Sequence, residues 1–127
     1  MTSRDGFKLA MDVSVYTLLA CTAAAKPILN PGGAIATMTY FGGEKCVPGY
    51  NVMGIAKAAL EQTTRYLAYE LGDKERNIRV NCVCPGDVDT PLLRSECAQL
   101  GQDSAEFMRE AADRPLNRVG TPADIAN

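Results

Sequence analysis

The stretch Y-F-G-G-E-K-C-V-P-G-Y-N-V-M-G-I-A-K, from Tyr40 to Lys57, places two phenols and an amine where a strand passes through a loop into a helix. Pro48-Gly49 is a turn signal, so Tyr50 is expected at the helix start and Lys57 deeper inside it. The two residues stand seven positions apart. At roughly 100° and 1.5 Å per residue that is almost two turns, so both side chains are expected to leave one helix face. The helix continues through A-A-L-E-Q-T-T-R-Y-L-A-Y-E-L to Gly72, which predicts a span of 50–71.

Working outward, Ser3 or Asp5 can cap a helix predicted over 7–29. Leu9, Val13, Val15, Leu18, Leu19 and Ala23 surround nearly its whole axis, which calls for cover on more than one side. Asn30-Pro31-Gly32-Gly33 ends it. A-I-A-T-M-T (34–39) reads as a short buried strand, and after Gly72 and a polar turn I-R-V-N-C-V-C (78–84) reads as a second. Two strands joined by so long a helix form a βαβ crossover, with a parallel sheet covered on both faces. Pro85 to Pro91 forms a loop, 92–112 is helical in parts with a break at Gly101, and Thr121-Pro122 with Asp124 starts a last helix.

The fold class is therefore α/β, with residues 1–127 part of a single doubly wound, Rossmann-like domain. A two-stranded parallel sheet cannot bury itself, so further strands before Met1 and after Asn127 are expected. No G-x-G-x-x-G turn for phosphates occurs in these residues.

The chain has 127 residues, 46% hydrophobic and 22% charged, which is ordinary for one soluble domain. A net charge of -2 gives no electrostatic reason to expect nucleic acid or an anionic membrane. Five cysteines without a C-x-x-C pair, and no histidine, argue against a metal site and for a reduced, cytoplasmic chain. Cys82 and Cys84 share one strand face and read as small buried hydrophobes. The N-terminus lacks a signal-peptide core, and the apolar stretches read as too short to span a bilayer. Tyr66, Tyr69 and Met38 read as packing residues, and Arg118 and Asp124 as fixing the closing loop.

Three blocks together carry a resemblance over essentially the whole chain: Tyr40 to Lys57, N-C-V-C-P-G-D-V-D-T-P after the second strand, and R-P-L-N-R-V-G-T-P-A-D-I-A near the end. In this order they resemble the C-terminal half of the short-chain dehydrogenase/reductase superfamily. Most members place the catalytic Tyr four residues before the Lys, where this chain has Met53. The Tyr50 to Lys57 spacing, with Tyr40 ten residues earlier, is similar to the bacterial enoyl-acyl-carrier-protein reductases in particular. Two departures stand out. The loop Pro85-Gly86-Asp87-Val88-Asp89-Thr90 is nearer the general superfamily form, and Ser14 occupies the position of the superfamily's frequent helix Asn.

The resemblance implies reduction of an enoyl-acyl-carrier-protein thioester with NADH or NADPH in fatty-acid biosynthesis. Hydride reaches the β-carbon while negative charge builds on the thioester oxygen, and a phenol beside an ammonium can donate to that oxygen. It implies Tyr50 as the donor, Lys57 as a ligand of the nicotinamide ribose, and Tyr40 as pocket wall or assistant. Met53 joins Tyr40 and Tyr50 in the substrate pocket. Gly86, Val88 and Thr90 hold the nicotinamide, and 92–112 forms a mobile cover. It implies a homodimer or homotetramer through helices 7–29 and 50–71. Two alternatives stay open: a 3-oxoacyl-carrier-protein or other carbonyl reductase of the superfamily, and an inactive truncated chain that keeps only the subunit-association helices. The 127-residue piece by itself is expected to be inactive.

Overall fold

The computed structural model describes residues 2–113 and 115–126. It divides into two compact units, one reaching to Cys84 and one starting at Pro85. In the first, Ser3 caps helix α1 (Arg4–Met11) by accepting from the Gly6 amide at 3.0 Å. The helix widens into a π segment, Asp12–Tyr16, and resumes as α2 (Thr17–Ala25). Thr17 Oγ1 donates to the Val13 carbonyl at 2.6 Å, a side-chain bond that competes with the regular ladder there. The span is Arg4–Ala25 rather than 7–29. It ends early because Pro27 has no amide to continue the ladder, and the chain relaxes into turns.

This run is 22 residues, and an 18-residue window within it has a mean hydropathy of 1.3, enough by length and composition alone to cross a membrane. The helix carries through the π segment without a break, and Arg4, Asp5, Lys8 and Asp12 keep its uncharged part short, as read from sequence.

Strand β1 (Ala34–Met38) pairs in parallel with β2 (Arg79–Val83), from Ala34 opposite Arg79 to Met38 opposite Val83. Helix α3 (Asn51–Leu71) connects them, ending at Gly72 as read from sequence. Its buried residues Ala56, Leu60, Thr64, Leu67 and Leu71 recur at helical spacing and form one stripe. The lower half of that stripe packs with Ile78, Val80, Leu18 and Ile35, and the upper half with Val15 and Met11.

Among the described residues the strands are covered on one face only. Burial alternates along each, with Ile35, Val80 and Cys82 turned inward and Ala36, Met38 and Val83 outward. One face packs on the helices, and among the described residues nothing covers the other, so Met38 is 54% exposed. Tyr66 and Tyr69 are exposed rather than packed, since they lie on the side of α3 away from its buried stripe. Cys82 is only half-buried, its Sγ 3.1 Å from the Thr64 hydroxyl, and Cys84, just past the end of β2, is exposed; the buried cysteine is Cys97.

In the second unit, Thr90 caps α4 (Pro91–Gln99), Gly101 at φ +68° makes the break, and Asp103 caps α5 (Ser104–Ala111). Val88 bridges Gly120 in parallel, and α6 (Pro122–Ala126) follows.

Candidate active site

The site grows from the C-terminal end of β1. Thr39 is buried, and its amide bonds the Val83 carbonyl at 2.9 Å, extending the ladder by one residue. The chain then folds into a 3₁₀ turn, Phe41–Gly43, closed by the Gly43 amide on the Tyr40 carbonyl at 2.8 Å. After the loop it enters α3 at Tyr50, the residue at the N-cap position. The rings of Tyr40 and Tyr50 meet edge to face, centroids 4.8 Å apart at 63°. One turn deeper than Met53, Lys57 turns back to the strand end, where its Nζ donates to the Met38 carbonyl at 2.8 Å.

Three glycines make this approach possible. A Cβ on Gly42 would run into the Tyr50 ring, and one on Gly54 would stand 2.8 Å from the Gly42 carbonyl oxygen. Gly43 faces α3 so closely that its Cβ would lie 2.6 Å from Glu61 Oε1. The turn and the first turns of α3 enclose an open cleft of about 360 Å³, with Tyr50, Gly42, Val47, Asn51 and Ile55 in its wall. Met53 is half-buried on α3 and does not line this cleft.

Glu61, one turn beyond Lys57, escaped the sequence reading. Its Oε1 accepts from the Thr39 hydroxyl at 2.6 Å. The available signal was a carboxylate placed next to the buried stripe of α3. On the other side of Glu61 stands Cys84, whose thiol is pushed up in pKa by partial burial and then by the Glu61, Glu44 and Cys82 charges.

Gly86, Val88 and Thr90 belong to the second unit. Thr90 Oγ1 accepts from the Leu93 amide at 3.2 Å as the α4 cap, which engages the oxygen as acceptor and leaves the hydroxyl's donor capacity. Asp89 holds Arg94 with two bonds of 2.9 and 2.8 Å. Arg118 forks onto Asp124 at 2.7 and 2.8 Å, and Asp124 also accepts from the Thr121 amide and hydroxyl, so this pair fixes the closing loop as read from sequence. Among the described residues no cluster of three or more His, Cys, Asp or Glu is placed to hold a metal ion.

With two phenols and an anchored ammonium gathered at one strand end, comparison with known proteins becomes decisive. The family model described as Enoyl-(Acyl carrier protein) reductase matches residues 1–127. The chain belongs to this family. A relative in Nostoc sp., an enoyl-acyl-carrier-protein reductase (NADH), is 44% identical over 126 residues, covering 99% of this chain and 46% of its own. The Bacillus subtilis enzyme of the same name is 42% identical over 127 residues, again 46% of its length. The chain thus spans about half the length of the curated relatives it matches.

Solved structures agree on the fold. The Bacillus cereus enoyl-acyl carrier protein reductase with NADP+ and indole naphthyridinone superposes with a TM-score of 0.76 at 43% identity, covering 92% of this chain and 43% of that one. A short chain dehydrogenase family protein from Francisella tularensis gives 0.82 at 27% identity, covering 98% and 53%. The family is α/β and Rossmann-like, and the parallel β1–α3–β2 unit is the part of that architecture seen here.

Proposed function

We propose that the protein carrying this chain reduces the trans-2 double bond of an enoyl-acyl-carrier-protein thioester, using NADH or NADPH. The observation that carries this reading is the meeting of Tyr40 and Tyr50 at the β1 end where Lys57 is anchored. The Tyr50 hydroxyl donates to the thioester oxygen as negative charge develops there. Tyr40, packed edge to face on Tyr50, limits that ring's positions, and with Met53, which lies outside the cleft of about 360 Å³, it lines the path of the acyl chain. Lys57 has three donors, one on the Met38 carbonyl, so it retains donors for ribose hydroxyls, and its charge favours the developing enolate. Gly86, Val88 and Thr90 hold the carboxamide of the nicotinamide. A bound reduced nicotinamide supplies the hydride that reaches the β-carbon.

The remainder of the Rossmann-like domain supplies the phosphate-binding turn, and the protein acts in the cytoplasm. It self-associates as a dimer or tetramer through the Arg4–Ala25 run and α3, whose Val13, Tyr16, Ile55, Tyr66 and Tyr69 are all more than half exposed. The loop Pro85 to Thr90, nearer the general superfamily form, favours ketone reduction as the second reading.

Loss of nicotinamide absorbance with crotonyl and with acetoacetyl thioesters tests both. Turnover of crotonyl thioester alone is expected; turnover of acetoacetyl thioester alone replaces the proposal with the second reading. Nucleotide calorimetry on the 127-residue chain is expected to show no binding.

A further inference from the structure

We infer that Glu61 is a positioning residue, which sets the Tyr40–Tyr50 pair by gripping the strand-to-loop corner on both sides of Tyr40. The inference builds on the proposed enoyl reductase site. A single carboxylate oxygen, Glu61 Oε1, meets both flanks of that corner. It accepts from Thr39 Oγ1 at 2.6 Å, and it lies so near Gly43 that a Cβ there would stand only 2.6 Å away. Thr39 immediately precedes Tyr40, and the Gly43 amide closes the turn on the Tyr40 carbonyl at 2.8 Å. Tyr40 is therefore the residue between two fixed points.

The grip reaches Tyr50 through the same turn. Gly42 lies against the Tyr50 ring and its carbonyl against Gly54, so a change in the height of the turn over α3 moves both rings. Lys57 and Glu61 stand one helical turn apart and hold successive residues, Met38 by its carbonyl and Thr39 by its hydroxyl. Together they fix α3 against the strand end at two points rather than one, which sets rotation as well as height. Glu61 can serve this way because its side chain is only 14% exposed, and its other oxygen makes just a long ion pair, to Arg65 at 3.9 Å, whose own side chain is 66% exposed. The bond to Thr39 is the short, well-directed one.

Two measurements separate this inference from the activity on which it builds. The first reads ring-to-ring nuclear Overhauser contacts between Tyr40 and Tyr50, in tyrosine-labelled protein containing the chain, and needs no turnover. Thr39→Val keeps the shape and removes the donor, and Glu61→Ala removes the acceptor; both are expected to weaken the contact. Thr39→Ser and Glu61→Gln keep a donor and an acceptor, and are expected to retain it. Gly43→Ala pushes Glu61 aside and is expected to behave like Glu61→Ala. The second is steady-state kinetics with crotonyl thioester, where Thr39→Val is expected to lower kcat by about ten- to a hundredfold, with KM for the nucleotide unchanged.

If Glu61→Ala does not fold, the isosteric Thr39→Val decides alone. An unchanged Tyr40–Tyr50 contact in Thr39→Val overturns the inference. So does a contact that Thr39→Ser loses equally, because packing rather than the hydrogen bond would then hold the corner. Should the protein fail to reduce crotonyl thioester at all, the function falls while the ring contacts still judge Glu61.

Discussion

Lys57 ties helix to strand end through a 2.8 Å bond to the Met38 carbonyl, so its replacement should be felt in two ways. Lys57→Met removes the donor to the Met38 carbonyl and the positive charge at the β1 end, and is expected to raise the nucleotide KM by about tenfold or more, the order of one charge-assisted hydrogen bond. Steady-state titration of the nicotinamide checks it. Cys84 is the other residue with a distinct signature. Because burial and the neighbouring carboxylates push its thiol up, alkylation by iodoacetamide at neutral pH is expected to be slower than for an ordinary exposed thiol, and to speed up in Glu61→Gln. Peptide mass spectrometry reads this rate. Tyr40 was singled out by the family resemblance, while the placing of Tyr50 and Lys57 on α3 was legible because helical spacing and a turn signal are local. Glu61 was not, since its partner Thr39 lies 22 positions away and its place depends on the Cβ that Gly43 lacks.

At the scale of elements, α3 carries most of the packing. Leu60 is 3% exposed in the upper cluster, so Leu60→Ala is expected to cost about 2–5 kcal/mol, measured by chemical denaturation. The closing loop has a pH signature instead. Arg118, with the Thr121 hydroxyl and amide, holds the Asp124 carboxyl well below its ordinary value near 3.8. Its folded-state value is depressed, so the contribution is in place above the ordinary value and is lost as pH falls below it. Wild type and Asp124→Asn are therefore expected to differ in Tm at neutral pH and to converge in acid. The long helix and the two strands were legible from Pro48-Gly49, Gly72 and the apolar runs. The π segment was not, for nothing between Asp12 and Tyr16 departs from an ordinary helical pattern. The strands read as buried on both faces because their composition suits a central position in a wider sheet, whereas among the described residues only one face is covered.

For the whole molecule, the first unit exposes much of the apolar surface of its long helices, while its core gathers along one stripe of α3. Such surface favours association, and Tyr66→Asp together with Ile55→Asp is expected to shift sedimentation toward smaller species. In the proposed reading, the anchored lysine and the paired phenols serve one chemical step, donation by the Tyr50 hydroxyl. The most direct test is Tyr50→Phe in the protein carrying this chain, followed by nicotinamide absorbance with crotonyl thioester. A loss in kcat of about a hundredfold or more, with Tm and nucleotide KM unchanged, is the expected result. Undiminished turnover in that variant would contradict it.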